Sequence, residues 1–247
     1  MYCLAVDSGN SFLKWAFFKN GRKLALNTVC NRELHQLDTD WRSLRQPDTI
    51  IVSHVSGHDI QIQLAQLFKI WNIQPYWIEP LPKQCGVINN YTDPKQLGSD
   101  RWAALIASWN KFHESCLVVN VGTAQTIDVL SRDGVFLGGI IVPGPYTLKN
   151  SIQFATQINL KNDNYCYQNF PTNTTDAIYS GIIDALVGSI ERTMRLFQQY
   201  QGYSIKHCLI SGGGHAELLP HLEFKYTVIE NLVLDGMLLI AQDTERT

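Results

Sequence analysis

The segment Asp7–Lys14 combines residue types that proteins use to hold phosphate groups. It follows the short apolar run Leu4–Val6 and contains an acidic residue, a glycine, an asparagine, two serines and a lysine. The backbone amides of such a turn, its polar side chains and the positive charge of Lys14 are suitable donors to a phosphate. Asp7 offers oxygen atoms for a metal–phosphate complex or its waters. An ordinary hairpin turn also favours Asp, Gly and Asn, so this segment alone leaves both interpretations open.

A second segment, about half a chain later, repeats this pattern. The apolar run Leu117–Val121 is followed by Gly122 and Thr123, and then by further strand-like segments that end at Val142. Internal repeats of this kind determine the architecture of a protein. Two halves that each begin with a strand, a glycine turn and a second strand predict a nucleotide held between two phosphate-binding hairpins.

A third candidate for chemistry is the pair Asp100–Arg101, which follows Gly98 at the start of a helical pattern. Ser99 or Asp100 is expected to be the N-cap of this helix. The positive end of the helix dipole should keep Asp100 ionised. The structural alternative is that Asp100 only caps the helix and Arg101 only pairs with it.

The elements that position these residues can be predicted from hydrophobic periodicity and turn residues. Strands are expected in residues 1–30 (three of them), 49–53, 75–78, 116–142 (a second set of three), 205–211 and 227–229. Helices are expected in residues 31–47, 59–72, from 100, 146–157, from about 174 to 200, 216–219 and 233–242. Residues 80–90 are expected to form a loop and residues 158–172 to be irregular. The repeat predicts two domains, 1–114 and 115–247.

Composition excludes several classes of protein. The 247 residues are 45% hydrophobic and 17% charged with a net charge of −2, which indicates a globular chain without the basic face of a nucleic-acid-binding domain. No apolar run approaches the roughly 18 residues of a membrane span, and no signal peptide is evident, so we expect a cytoplasmic protein. The six cysteines form no CxxC pair, and His54 and His58 have no third ligand nearby in sequence, so neither a disulfide framework nor a metal site is expected.

Taken together, these segments resemble the type III pantothenate kinases of the sugar-kinase and actin superfamily. The resemblance covers nearly the whole chain. It consists of Asp7-x-Gly9-Asn10-Ser11-x-x-Lys14, Tyr91 upstream of Gly98-x-Asp100-Arg101, Gly122-Thr123-Ala124-x-Thr126-x-Asp128, Gly138-Gly139-x-Ile141-x-Pro143-Gly144, and shorter patterns at 173–174, 180–181, 212–213 and 234–236. It implies an α/β fold of two ribonuclease-H-like domains, each with a mixed sheet flanked by helices, and a nucleotide cleft between them.

The resemblance also implies an activity, the ATP-dependent phosphorylation of pantothenate to 4'-phosphopantothenate, the first step of coenzyme A biosynthesis. Magnesium would accompany ATP, and the protein would be a homodimer whose substrate pocket is completed across the interface. The implied ATP-binding residues are Asp7, Ser8, Gly9, Asn10, Ser11, Phe12, Leu13, Lys14 and Thr123. The implied pantothenate-binding residues are Tyr91, Gly98, Ser99, Asp100, Arg101 and Thr174, with Asp100 as proton acceptor.

Two departures from the family pattern bear on these expectations. Asn120 stands where the family has an aspartate that binds a monovalent cation, K⁺ or NH₄⁺, and an asparagine keeps an oxygen but loses the charge. The sequence therefore argues against a strong cation dependence. The family's Ala-Thr-x-x-Leu-Pro segment appears as Ala155–Asn159 followed by Leu160, without the proline.

Two alternatives to this enzyme remain open from sequence. One is a catalytically weak nucleotide-binding protein that regulates transcription on the same scaffold, since fold alone does not define function. The other is a kinase for a different small hydroxyl compound. The presence of both Asp7 and Asp100 favours an enzyme, and the slight negative charge argues against direct DNA binding.

Overall fold

Strands and helices follow one another in nearly the predicted order. The computed structural model describes residues 1–156 and 165–244. The strands are β1 (Tyr2–Ser8), β2 (Phe12–Lys19), β3 (Arg22–Cys30), β4 (Thr49–His54), β5 (Tyr76–Trp77), β6 (Lys83–Gln84), β7 (Val87–Asn89), β8 (Cys116–Val121), β9 (Ala124–Leu130), β10 (Val135–Pro143), β11 (His207–Ser211) and β12 (Thr227–Val228). The helices are α1 (Gln36–Arg42), α2 (His58–Leu67), α3 (Ser99–Phe112), α4 (Pro145–Thr156), α5 (Thr174–Gln201) and α6 (Leu232–Thr244).

The contacts of the chain divide it into two compact units. The first contains residues 1–113, the short piece Gly134–Phe136 and the described residues from Asn231 onward. The second contains Glu114–Asp133 and the described residues of Leu137–Glu230. The predicted boundary at residue 114 lies close to this division. The prediction placed the last helix in the second domain, however, whereas α6 packs within the first unit, mainly against α3.

The first unit is built on a mixed five-stranded sheet in the order β3-β2-β1-β4-β5. β1 pairs antiparallel with β2 and parallel with β4, so it is central and its residues Cys3–Val6 are fully buried. A central strand covered on both faces needs a continuous apolar run, which explains why β1 does not alternate with polar residues. Leu4 and Val6 join the core formed with Trp41 of α1 and Leu64 of α2. α3 and α6 also pack against strands of this sheet.

The second unit has the same strand arrangement. β8 pairs antiparallel with β9 and parallel with β11, β10 lies beside β9, and β12 lies beside β11. The long helix α5 contributes Ile183, Leu186 and Ile190 to a core with apolar residues of β8 and β9. In each unit, therefore, a first strand lies between its hairpin partner and a later parallel strand. The internal repeat predicted from sequence is confirmed in this sense.

The prediction of a loop between Pro80 and Asn90 was wrong in part. β6 and β7 form a short antiparallel hairpin there, and β7 pairs with Val135 and Phe136 at the start of β10. The turn of this hairpin has positive φ at both Cys85 (48°) and Gly86 (82°). Two consecutive left-handed residues make the tight turn that fits a hairpin, but a cysteine is an unusual first residue and gives no sequence signal.

Two predicted helices are shorter than expected, and the predicted irregular segment lies partly outside the described residues. The helix expected in residues 31–47 is a 3₁₀ turn followed by α1, and the helix expected in 59–72 becomes 3₁₀ after Leu67. Residues 158–164 of the predicted irregular segment 158–172 lie outside the described residues. Residues 157–160 of the altered family segment lie outside them as well. Among the helices of residues 1–156 and 165–244, none combines the length and apolarity needed to cross a membrane.

The packing of α6 on α3 depends on a glycine. A Cβ atom at Gly236 would overlap the backbone carbonyl of Ala103 in α3. Backbone atoms cannot move aside as a flexible side chain can, so the two helices can approach this closely only while residue 236 has no side chain. Gly236 belongs to the Leu-Asp-Gly pattern noted in the sequence.

Gly236→Ala should therefore destabilise the protein by about 1–3 kcal/mol, the usual range for overpacking a tight contact. Gly188→Ala in α5 is the matched control, because no atom lies within 4 Å of the added Cβ there. That substitution should stabilise the protein by about 0.5–1 kcal/mol, because alanine is the better helix former. Urea denaturation of both variants measures the difference. Equal stability changes in the two variants would contradict the proposed contact.

Candidate functional site

The turn between β1 and β2 is held in place by an asparagine from the end of β3. The side-chain amide of Asn31 donates to the carbonyl oxygens of Gly9 (2.9 Å) and Asn10 (3.0 Å). The backbone N–H of Asn31 donates to the carbonyl oxygen of Ser11 (3.1 Å). Sequence analysis missed Asn31. The only sequence signal was its position directly after the third strand of the hairpin set, which places it beside the β1–β2 turn.

Gly9 is required for close approach. Its N–H donates to the carbonyl of Phe12 at 3.1 Å, and a Cβ at position 9 would lie 3.1 Å from the same oxygen. Its φ is not among the positive values described for the chain, so the role of this glycine is space and not backbone freedom. Lys14 lies opposite Asp7 in the β1–β2 register. The predicted phosphate turn is therefore narrow and rigidly fixed at its base.

Asp7 is the buried carboxylate of this turn. It lies between Lys14 on β2 and Ser53 on β4 in the two strand registers. Burial and then the negative charge of Asp100 raise the pKa of Asp7 to about 7, against the lowering effects of a hydrogen bond from Ser53 and the charge of Lys14. Its Oδ1 atom is buried and has no hydrogen-bond partner among the described residues. A buried oxygen of this kind fits a bound cation or a cation's water molecule, because such atoms are normally satisfied.

A cluster of hydroxyls surrounds His54 at the end of β4. Its Nδ1 lies 3.2 Å from the Oγ atoms of both Ser8 and Ser56, which are 2.7 Å from each other. Burial and the nearby His58 lower the pKa of His54. His58 itself lies next to Gln61. The described residues include no cluster of three or more His, Cys, Asp or Glu side chains that could hold a metal, and the two histidines form separate contacts.

Helix α3 begins one residue earlier than the sequence suggested, and its N-cap is Gly98. The predicted caps, Ser99 and Asp100, are wrong because both residues lie inside the first turn of the helix. The Ser99 hydroxyl contacts the backbone N–H of His54 (3.0 Å) and the hydroxyl of Ser53 (3.1 Å). Asp100 lies in the first turn, where its Oδ1 accepts from the N–H of Arg101 at 2.8 Å.

The pKa of Asp100 shifts in the direction opposite to the one that the sequence predicts. Burial raises the pKa of Asp100, although the N–H and the positive charge of Arg101 both lower it. The helix N-terminus and Arg101 thus act in the predicted direction, but the removal of the carboxyl group from water outweighs them. A carboxyl group with a raised pKa is a better proton acceptor near neutral pH than an ordinary aspartate.

Gly98 is needed to accommodate that carboxyl group. A Cβ at position 98 would lie 2.6 Å from Oδ1 of Asp100. The φ of Gly98 is −59°, which any residue can adopt, so its role is again space and not backbone freedom. The Gly-x-Asp pattern therefore allows the aspartate to fold back over the start of its own helix.

Arg101 is a buried arginine held by two aromatic rings. Its guanidinium donates to the hydroxyl of Tyr91 at 3.1 Å and lies over the rings of Tyr91 (5.8 Å) and Phe136 (5.9 Å). The structure thus brings together Tyr91 and Arg101, which sequence placed in one substrate site. Phe136 was not foreseen, because it comes from the start of β10, far away in sequence.

In the second unit, the end of β8 is enclosed by two glycine segments. A Cβ at Gly144 would overlap the carbonyl of Gly122, and the carbonyl of Thr123 accepts from the N–H of Gly144 at 2.9 Å. Gly212 has φ of +92°, and a Cβ there would lie 2.6 Å from Oδ1 of Asn120. Because Gly144 and Gly212 have no side chain, the backbone after β10 and after β11 can approach the turn that follows β8.

Thr174 is the first residue of α5 and is exposed. The cap of this helix is Asn173, whose side-chain oxygen accepts from the N–H of Asp176 at 2.9 Å. A cavity of about 800 Å³ lies between α4 and the first turns of α5, lined by Thr174, Ala177 and Gly181 among others.

Of the predicted site residues, Asp7, Ser99, Asp100, Arg101 and Tyr91 are joined by contacts or charge interactions within the first unit. Asn120, Thr123 and Thr174 belong to the second unit.

Comparison with known proteins gives a consistent family. A family model described as type III pantothenate kinase matches residues 3–196. The type III pantothenate kinase of Nitrosomonas eutropha is 41% identical over 98% of this chain and 95% of its own length. That of Nitrosospira multiformis is 41% identical over 99% of this chain and 92% of its own length. A crystal structure from Campylobacter jejuni, named as a Baf family protein, covers 99% of this chain and all of its own with a TM-score of 0.60 and 20% identity, which shows the fold alone.

The raised pKa of Asp7 predicts a pH-dependent stability difference. Between the ordinary value of 3.8 and about 7, the folded protein holds a proton on Asp7 that the unfolded chain has released. The group's contribution to stability is therefore most favourable below about pH 4 and becomes less favourable as the pH rises toward 7. Asp7→Asn should be more stable than the wild type at about pH 8, by a margin that shrinks on acidification with a limiting slope of ~1.4 kcal/mol per pH unit.

Urea denaturation across this pH range measures that margin. Asp38→Asn is the control: Asp38 is exposed and Arg42 lowers its pKa, so any pH dependence should have the opposite sign. A margin for Asp7→Asn that does not change with pH would show that this carboxyl group is not buried as described.

Proposed function

Because this chain belongs to the type III pantothenate kinase family, we propose that Asp100 accepts the proton when the phosphoryl group of ATP is transferred to the hydroxyl group of pantothenate. The family phosphorylates pantothenate in coenzyme A biosynthesis. The observation that carries the proposal is the half-buried carboxyl group of Asp100, which is held at the start of α3 beside Arg101 and has its pKa raised by partial removal from water. In a loose phosphoryl-transfer transition state the proton leaves late, so the base mainly orients the hydroxyl group.

The ATP-binding residues that we propose are the turn residues of the first hairpin and one residue of the second. They are Asp7, Ser8, Gly9, Asn10, Ser11, Phe12, Leu13, Lys14 and Thr123. The support is the fixed turn held by Asn31, the positive charge of Lys14 and the unpartnered buried oxygen of Asp7. That oxygen fits the divalent metal, such as Mg²⁺, that a kinase uses with ATP, directly or through water. The metal would neutralise charge on the phosphates; the turn residues hold and orient them.

For pantothenate we propose Tyr91, Gly98, Ser99, Asp100, Arg101 and Thr174. The Ser99 hydroxyl is engaged by Ser53 and His54, so Ser99 would contribute through its backbone. Arg101 is suited to a carboxylate because its planar guanidinium can donate two parallel hydrogen bonds, which lysine cannot do. The bond to Tyr91 and the flanking ring of Phe136 orient that guanidinium before any ligand arrives.

The regulatory alternative receives no support from these observations. The Campylobacter jejuni structure is named as a Baf family transcriptional activator, but at 20% identity its similarity shows the fold alone.

Asp100→Asn tests the catalytic proposal. Loss of a general base typically lowers the rate by about 100- to 10,000-fold, so kcat should fall in that range while the affinity for ATP is retained. Asparagine keeps the side-chain oxygen that accepts from the N–H of Arg101, so the fold should persist. Asp38→Asn, on the exposed face of α1, is the control and should leave kcat unchanged. A folded Asp100→Asn protein with wild-type turnover would leave Asp100 with a structural role only.

We also propose that a monovalent cation, K⁺ or NH₄⁺, binds weakly at Asn120. The position keeps an oxygen at the end of β8 but lacks the charge that strengthens cation binding. Asn120→Asp should therefore respond to lower K⁺ concentrations than the wild type does. The measurement is kcat as a function of K⁺ at constant ionic strength. Superimposable activation curves for the two proteins would remove the basis for this proposal.

The assembly that we propose is a homodimer in which Thr174 contributes to the neighbouring subunit's pocket. The support is the family likeness together with the cavity beside the exposed start of α5. Light scattering on an active sample should give twice the chain mass of 28.0 kDa. A single-chain mass under conditions of full activity would contradict the dimer.

A further inference from the structure

The first turn of α3 is attached to the end of β4 by a pair of buried serines. The hydroxyl groups of Ser53 and Ser99 are 3.1 Å apart, and Ser53 is fully buried while Ser99 is 5% exposed. The Ser99 hydroxyl also accepts the backbone N–H of His54 at 3.0 Å and lies 3.4 Å from the His54 carbonyl. On the other side, Ser53 lies beside Asp7 in the β1–β4 register, and its hydroxyl group lowers the pKa of that carboxyl group.

These contacts have a consistent direction when Asp7 is ionised. The carboxylate can only accept, so the Ser53 hydroxyl donates to Asp7. Ser53 then accepts from the Ser99 hydroxyl, which in turn accepts from the N–H of His54. Each hydroxyl hydrogen is used once, and the chain of bonds runs from the backbone of β4 through the first residue of α3 to the end of β1.

The start of α3 depends on this attachment because its N-cap cannot supply one. Gly98 has no side chain, and the structure shows no side-chain cap for α3. The first backbone amides of a helix have no partner in a preceding turn. Here the amide of Arg101 donates to the carboxyl group of Asp100, which belongs to the same turn and therefore does not attach that turn to the sheet. Asp100 and Arg101 follow Ser99 directly, so any movement of Ser99 would move the two side chains that the proposed reaction depends on.

We propose that Ser53 and Ser99 are positioning residues, which fix the first turn of α3 on β4 and thereby set the direction of the Asp100 carboxyl group. For its effect on catalysis, this inference rests on the proposed role of Asp100. It assigns the Ser99 side chain a role other than contact with pantothenate, and it gives Ser53 a role in the reaction without contact with either substrate.

Three serine-to-alanine variants separate these roles. Ser99→Ala and Ser53→Ala each remove one hydroxyl of the pair. Ser108→Ala is the matched control, because Ser108 is fully buried in the same helix and donates only to the carbonyl of Ala104, at 2.7 Å. Ser99→Thr restores the hydroxyl and serves as the conservative rescue. Thermal unfolding confirms that each variant is folded before its rates are compared.

Steady-state kinetics give the first readout. A displacement of about 1 Å in a catalytic group can lower the rate by about 100-fold, so kcat should fall by about 10- to 100-fold in Ser99→Ala and Ser53→Ala. KM for ATP should change by less than about twofold, whereas KM for pantothenate should rise by a similar factor in both pair variants, because Arg101 moves with Ser99. Ser108→Ala should keep wild-type kcat, and Ser99→Thr should recover most of it. If the Ser99 hydroxyl binds pantothenate instead, Ser99→Ala will raise KM and Ser53→Ala will be normal, which overturns the proposal.

Amide hydrogen exchange gives a second readout that does not depend on activity. The amides of residues 100–102 should exchange faster in Ser99→Ala and Ser53→Ala, and at the wild-type rate in Ser108→Ala. Unchanged exchange in both pair variants overturns the proposal whatever their rates. If the wild type fails to phosphorylate pantothenate, the proposed function fails, but faster exchange would still support the attachment of α3 to β4.

Discussion

The parallel pairing of β1 with β4 is the constraint on which the first unit depends. It places Asp7 beside Ser53 and Ser8 beside His54, at the ends of two buried strands. Because Ser53 and His54 both contact Ser99, the same pairing determines where α3 begins. The phosphate-type turn after β1 and the Asp100–Arg101 pair are thus attached to one edge of a rigid sheet. Sites built on strand ends hold their geometry better than sites on free loops.

Burial gives this arrangement its chemical character. Asp7 and Asp100 are both partly removed from water, and each carboxyl group has a raised pKa as a result. Two nearby carboxylates that repel each other are unfavourable for folding, and such strain is commonly found where proton transfer occurs. Lys14 offsets part of the cost at Asp7, and Arg101 offsets part of it at Asp100. The unsatisfied oxygen of Asp7 supports the proposed role of this carboxyl group beside the metal ion that accompanies ATP.

Local sequence patterns predicted the elements of the site better than its detailed contacts. The turn at Gly9 and the helix after Gly98 could be located because glycine and small polar residues end strands and start helices. Asn31, Phe136 and the Ser53–Ser99 bond could not, because each joins segments that are distant in sequence. The N-cap of α3 was mispredicted for the same reason: the Ser99 hydroxyl has a tertiary partner that outweighs its local preference. Likewise, no local pattern indicated that Gly236 would bring α6 against α3.

The central claim is that this chain transfers a phosphoryl group from ATP to pantothenate. The most direct test is to incubate the purified protein with ATP, Mg²⁺, K⁺ and pantothenate and to detect the product by phosphorus NMR. The account predicts a phosphomonoester on the terminal hydroxyl group of pantothenate, formed in equal amount to ADP and absent without pantothenate. ADP formation that does not depend on pantothenate, or faster transfer to an unrelated small alcohol, would contradict it.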